Sequence, residues 1–167
     1  MPEPANDVTI RPVRVEDAEA IWRIAREEGV IENILALPSD RLEQRRKQLS
    51  ELGPDEHFVV AEVGGDVVGL AGLQVGRGRL RHSGHLFVYV SRAHQAHGIG
   101  TQLLAALLDL ADVWLLLRRV ELTVLVKNER ARQLYERLGF VVEGRRRYSV
   151  IAEGEIEDEW LMARYRR

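Results

Sequence analysis

A chain of 167 residues, 46% apolar and 30% charged, can bury one sizeable core, and residues 1–167 read as a single domain with its core over about 8–165. Its 24 Lys and Arg against 26 Asp and Glu leave a net charge of −2, which implies no pull toward nucleic acid or an anionic membrane. A cysteine count of 0 excludes disulfides, thiolate metal sites and a cysteine nucleophile, and fits a reduced, cytoplasmic setting.

The opening Met1-Pro2-Glu3-Pro4-Ala5-Asn6-Asp7 has no basic region followed by an apolar one and does not read as a signal peptide. Val8 to Val13 is a short strand, interrupted late by Pro12. A helix is expected from about Val15 to Glu28, with Ala18, Ile21, Trp22 and Ala25 on one face. Glu16 and Asp17 complement the dipole in its first turn, and Gly29 ends it. A second helix follows Leu37-Pro38-Ser39-Asp40, capped by Ser39 or Asp40. Its Arg41, Arg45, Arg46 and Lys47 read as a solvated face, with contact to an anionic ligand as the alternative.

From His57 the pattern changes period. Phe58 to Val63 and Val67 to Leu73 are β-rich runs joined by Gly64-Gly65-Asp66, a hairpin signal. Gly76 to Gly84 is a loop leading into an apolar strand, Leu86 to Val90. A polar turn with two glycines follows, then a helix from about Gly98 to Trp114. The run Val113 to Leu117 is far too short to span a bilayer. Arg119 to Val126 is another strong strand, and Asn128 caps a helix with Ala131, Leu134, Tyr135 and Leu138 on one face, closed by Gly139. Phe140 to Val142 and a stretch near Glu159 to Tyr165 complete a β-rich end. The oppositely charged tracts Arg145-Arg146-Arg147 and Glu153 to Glu159 belong to a hairpin's exposed face or a subunit contact. This order predicts an α/β (α+β) fold, a mixed sheet flanked by helices.

The stretch from Leu86 to Leu104 organises the rest. Gly98 and Gly100 leave no side chain in the turn, so a bulky anion can approach the backbone N–H groups closely. The first N–H groups of the following helix have no intrahelical partner and sit at the positive end of its dipole. Strand, turn and helix together are a seat for phosphate or pyrophosphate. No P-loop pattern occurs anywhere, and the Gly-x-Gly spacing without a third glycine argues against a dinucleotide fingerprint.

Gln95-Ala96-His97-Gly98-Ile99-Gly100 resembles the Gln/Arg-x-x-Gly-x-Gly/Ala signature of the GCN5-related N-acetyltransferases (GNATs). Leu122 to Phe140 resembles the family's second motif, with Asn128, Ala131, Tyr135, Gly139 and Phe140 where that pattern asks for them. The resemblance implies a mostly antiparallel mixed sheet of six to seven strands, two central parallel strands that splay apart, and about four helices. It implies that acetyl-CoA serves as co-substrate, its pantetheine arm entering the gap beside the backbone of Val88, Tyr89 and Val90. A strand N–H near Val90 would meet the developing oxyanion. Gln95, Ala96, His97, Gly98, Ile99, Gly100 and Thr101 would hold the pyrophosphate, and Asn128 would bond the arm from the second strand.

Tyr135 is expected as general acid, a phenol of pKa ~10 close to the ~8.5 of a thiol; the alternative is a core tyrosine. Glu121 and His85, each at the head of a central strand, are the candidates for the base that takes the amine's proton, directly or through water. His82 with His85, or His94 with His97, lack a carboxylate at ligand spacing, so no metal is expected.

A narrower likeness joins Asn33 to Ser39, Glu121 to Val124, Glu143-Gly144 and Met162-Ala163-Arg164 to bacterial L-amino-acid and phosphinothricin-type acetyltransferases. Gln95-Ala96 departs from the usual Arg/Lys-Gly of the pyrophosphate turn, which should weaken coenzyme binding modestly. The expected acceptor is therefore a small primary amine, the α-amine of an amino acid, attacked directly in a ternary complex, and a homodimer is expected. A protein or peptide acetyltransferase and a non-catalytic acyl-CoA module are the alternatives. A nucleotide-binding protein of another fold would instead prefer ATP or NAD.

Overall fold

The computed structural model describes residues 7–166, so the signal-peptide reading of the first six residues lies outside it. Seven strands form one sheet: β1 (Val8–Pro12), β2 (Glu56–Val63), β3 (Asp66–Val75), β4 (Ser83–Val90), β5 (Arg119–Leu125), β6 (Val141–Ala152) and β7 (Glu155–Tyr165). Their order across the sheet is β1-β2-β3-β4-β5-β7-β6. Every neighbouring pair is antiparallel except β4 and β5. This is the mixed, mostly antiparallel sheet expected from the motifs, with four helices: α1 (Ala18–Ala25), α2 (Leu42–Ser50), α3 (Ile99–Asp109) and α4 (Glu129–Arg137).

The β2–β3 hairpin turns at Gly64 and Gly65, whose φ values of 58° and 87° suit the tight turn that twisted strands require. Two apolar clusters divide along the faces of the sheet. One joins Leu86 and Val90 of β4, Val120, Leu122 and Val124 of β5, and Leu103, Leu104 and Leu107 of α3 with Tyr135 and Phe140. The other joins Ala18, Ile21, Leu49, Phe58, Val60 and Leu70, with Phe87 and Tyr89 packed against it. Phe58 meets Phe87 edge-on, ring centroids 5.1 Å apart, over the bare backbone of Gly72.

Several boundaries differ from the sequence reading. The first helix starts as a 3-10 turn, Val15–Asp17, and its α-helical part ends at Ala25, short of Gly29. Successive short bonds, Arg26 N–H to Arg23 C=O and Glu27 N–H to Ile24 C=O, replace its last turn. Neither Ser39 nor Asp40 caps α2: Arg41 occupies that position, while the Asp40 carboxylate accepts from Leu37 N–H at 2.9 Å. The third helix passes at Leu110–Trp114 into a π-helical turn, held where Arg164 of β7 grips Asp112 with two bonds of 2.8 and 2.7 Å. The last two strands are much longer than the segments expected, 12 and 11 residues, and include the Arg145–Arg147 and Glu153–Glu159 tracts. Among the described residues no helix is long and apolar enough to cross a membrane.

Candidate active site

The parallel strands β4 and β5 are paired only at Ser83↔Arg119, Gly84↔Val120 and His85↔Glu121. Beyond that rung both continue, β4 to Val90 and β5 to Leu125, without pairing to each other. Which backbone groups face the resulting gap follows from alternation along the strands. Ser91 N–H donates to Val68 C=O at 2.8 Å and Ser83 C=O accepts from Gly76 N–H at 2.9 Å, so the odd-numbered residues of β4 bond β3. The N–H and C=O of Val88 and Val90 therefore turn into the gap, whereas those of Tyr89 turn to β3. On β5, Val126 N–H donates to Asp158 C=O at 3.0 Å, which puts even-numbered residues toward β7 and leaves Thr123 and Leu125 facing the gap.

At the mouth of the gap the chain turns from β4 into α3. Ala96 and Gly98 both take positive φ, 64° and 78°, and aim consecutive N–H groups outward. Among the described residues the N–H groups of Ala96, His97, Gly98, Ile99, Gly100 and Thr101 find no protein acceptor. Such a concave run of donors at a helix N-terminus fits a pyrophosphate. Gln95 differs from the rest: its N–H donates to Arg92 C=O at 3.3 Å, and its side-chain amide donates to Val90 C=O at 3.0 Å. It braces the end of β4 from within the turn.

Asn128 follows β5, its N–H donating to Leu125 C=O at 2.9 Å and its side-chain oxygen accepting Ala131 N–H at 3.2 Å, which starts α4. Two turns on, Tyr135 is buried against Phe140, ring centroids 6.0 Å apart. Burial pushes its phenol up to about 12, and no hydrogen bond to the protein is found for the hydroxyl among the described residues.

His85 and Glu121 sit side by side on the last paired rung, on the sheet face opposite α3 and Tyr135. Burial lowers the His85 pKa below the usual imidazole value, with the Glu121 charge acting in the opposite sense. Glu121 is engaged by Arg119, whose Nε lies 2.9 Å away and which also holds Glu143. The two candidate bases thus differ: among the described residues the His85 side chain has no bond to give up, and Glu121 has an ion pair.

On that same face a cleft of about 310 Å³ opens between the loop after α1, the turn after β4 and the tip of the β6–β7 hairpin. Glu28, Glu32, Arg92, Lys127 and Glu153 line it. Glu27, not anticipated from the sequence, ties two of these walls together: its carboxylate accepts from Ser91 Oγ at 3.0 Å and from Arg92 N–H at 2.8 Å. No local pattern could have revealed a bond between residues so far apart in the chain. Among the described residues no group of three or more His, Cys, Asp or Glu is placed to hold a metal ion.

The Acetyltransferase (GNAT) family matches residues 18–140. The chain is 33% identical over 162 residues to the L-amino acid N-acetyltransferase AaaT of Escherichia coli (strain K12), covering 95% of this chain and 98% of that protein. Its fold superposes on a ribosomal-protein-alanine N-acetyltransferase from Brucella melitensis with a TM-score of 0.83, 28% identity and coverage of 95% and 99%. A putative phosphinothricin N-acetyltransferase of known structure shares the fold at a TM-score of 0.82 and 21% identity, with coverage of 95% and 98%. With the parted parallel strands, the donor-rich turn and a family match over most of its length, the chain is an N-acetyltransferase of the GNAT family.

Proposed function

We propose that this enzyme carries the acetyl group of acetyl-CoA to the primary amine of a small molecule, the α-amine of an amino acid, by direct attack with both substrates bound. The observation that carries the reading is the gap: among the described residues, unpaired N–H and C=O groups of Val88 and an unpaired Val90 N–H run up to six free N–H groups at its mouth. A thioester arm ending in a pyrophosphate satisfies both sets at once. Kinship with a protein named for L-amino acid acetylation supports the acceptor class.

In this reading the ammonium group loses a proton to His85, which burial keeps neutral near pH 7. The free amine attacks the thioester carbonyl while Val90 N–H donates to the oxygen as charge develops there. The carbon–sulfur bond breaks, the sulfur takes the Tyr135 proton, and the phenol is restored by the second proton leaving the nitrogen. One proton is released overall. Acid and base stand on opposite faces of the sheet, so the two proton transfers do not compete for one position. Asn128 holds the arm from the β5 side.

The test is a panel of amines assayed by release of free thiol. L-amino acids should release it, and Tyr135→Phe should lower kcat about 100- to 1000-fold while leaving acetyl-CoA affinity within about twofold. An unchanged kcat would remove Tyr135 from the mechanism, and no thiol release with any amine would favour a non-catalytic acyl-CoA module. We further propose that residues 1–167 act as one domain, in the cytoplasm where the coenzyme is kept, and as a homodimer. The outer strand β6 supports the last point, since it exposes Tyr148 at 78% and Ile151 at 76%.

A further inference from the structure

The side chain of Tyr89 has no part in the gap chemistry, yet its hydroxyl is buried and has no hydrogen-bond partner among the described residues. Buried hydroxyls are normally bonded, so an orphan of this kind calls for a reason. Its ring stacks on Phe87, centroids 6.4 Å apart, and packs on the cluster of Ala18, Ile21 and Leu49. This is the face of the sheet that also carries His85. Across from it lies α2, whose Leu42 and Leu49 pack on that same cluster, with Arg45 between them at helical spacing.

Arg45 is half-buried, and its one side-chain bond goes to Gln48 Oε1 at 2.6 Å. Among the described residues it forms no ion pair, whereas Arg11, Arg119 and Arg164 each hold one or two carboxylates. Burial raises the Tyr89 phenol pKa, and the one charge that opposes this is that of Arg45. A buried donor without an acceptor, on the cluster against which the helix carrying an unpaired cation packs, is the chemistry of a carboxylate subsite.

We propose that Tyr89 and Arg45 hold the carboxylate of the amino-acid acceptor, the phenol donating to one oxygen and the guanidinium supplying the counter-charge. This rests on the acetyltransferase reading above and narrows it. The carboxylate is then held on the His85 face of the gap, where the same molecule's ammonium group must give up its proton.

The experiment compares acceptors that differ only in the carboxylate, L-methionine with 3-(methylthio)propylamine and L-phenylalanine with phenethylamine. Wild type should prefer the amino acids. Tyr89→Phe should raise their KM about 10- to 100-fold, the loss expected of a hydrogen bond to a charged group, with kcat within about threefold and the acetyl-CoA KM unchanged. Arg45→Gln should act in the same direction, and neither should raise the KM of the decarboxylated amines. The melting temperature of Tyr89→Phe should not fall, because it removes an unpaired buried group. Equal use of amino acid and amine by wild type, or unchanged KM in both variants, would overturn the subsite. Absence of thiol release from wild type with every amine is a different result: it removes the acetyltransferase reading, and the subsite with it.

Discussion

Ala96 holds a φ of 64° in the turn between β4 and α3, where the family's usual residue is glycine. Left-handed backbone costs an L-residue about 1–2 kcal/mol because Cβ crowds the following carbonyl oxygen. Glycine escapes that cost but loses about 0.4–1 kcal/mol through a freer unfolded chain. Ala96→Gly should therefore raise stability by about 0.5 kcal/mol, seen as a higher denaturant midpoint with unchanged slope. A lower midpoint would contradict this account of the turn. The same variant should leave the outward N–H groups available to the coenzyme.

His85 makes a sharper demand at the residue scale. Its pKa is lowered in the folded protein by burial, while the unfolded chain's histidine titrates near the ordinary value of about 6.5. The unfolded state therefore binds more protons just below pH 6.5, so folding stability should fall as pH drops from there toward the folded-state pKa. His85→Gln should flatten that fall. In activity, the variant should lose about 10- to 100-fold in kcat/KM near pH 7, and the deficit should shrink as pH approaches the amine's own pKa. A pH-independent deficit would assign His85 a structural role only.

Elements in this chain are legible where their signals are local. Asn128 starts α4 through its own side chain, and the Gly64-Gly65 turn fixes the β2–β3 hairpin. The early end of α1 was not legible, because the loop that follows is held by Glu27 reaching Ser91 and Arg92 across the fold. The cap of α2 was misplaced for a related reason: Asp40 bonds backward to Leu37 N–H instead of forward into the helix. Register likewise hides in tertiary contacts. Gly72 reads as an ordinary strand glycine, but a Cβ there would meet Phe87 Cε1 at 2.3 Å and Phe58 Cε1 at 2.8 Å. Gly72→Ala should cost about 1–3 kcal/mol by displacing this aromatic pair from β3. Urea unfolding reads the loss directly, and an unchanged midpoint would mean the rings move freely.

For the whole molecule, the sheet and its parted strands were legible through the family resemblance, which two motifs carry because each is a strand, a turn and a helix start in unbroken sequence. The acceptor side was much less legible. As proposed, it draws on Tyr89 of β4 and Arg45 of α2, and on the cleft between the loop after α1, the turn after β4 and the tip of the β6–β7 hairpin, segments that only the complete fold brings together. Tyr135 lies on the α3 face of the sheet and His85 on the other, so the proposed acid and base reach the reacting atoms through the gap between β4 and β5.

The most direct test is a crystal structure of the protein with coenzyme A, read at one distance, from Tyr135 Oη to the coenzyme sulfur. The account predicts a separation of about 3.5 Å or less, with the arm's amides bonded to Val88 in the gap. A coenzyme bound elsewhere, β4 and β5 paired beyond His85↔Glu121, or a phenol turned away from the sulfur would contradict it.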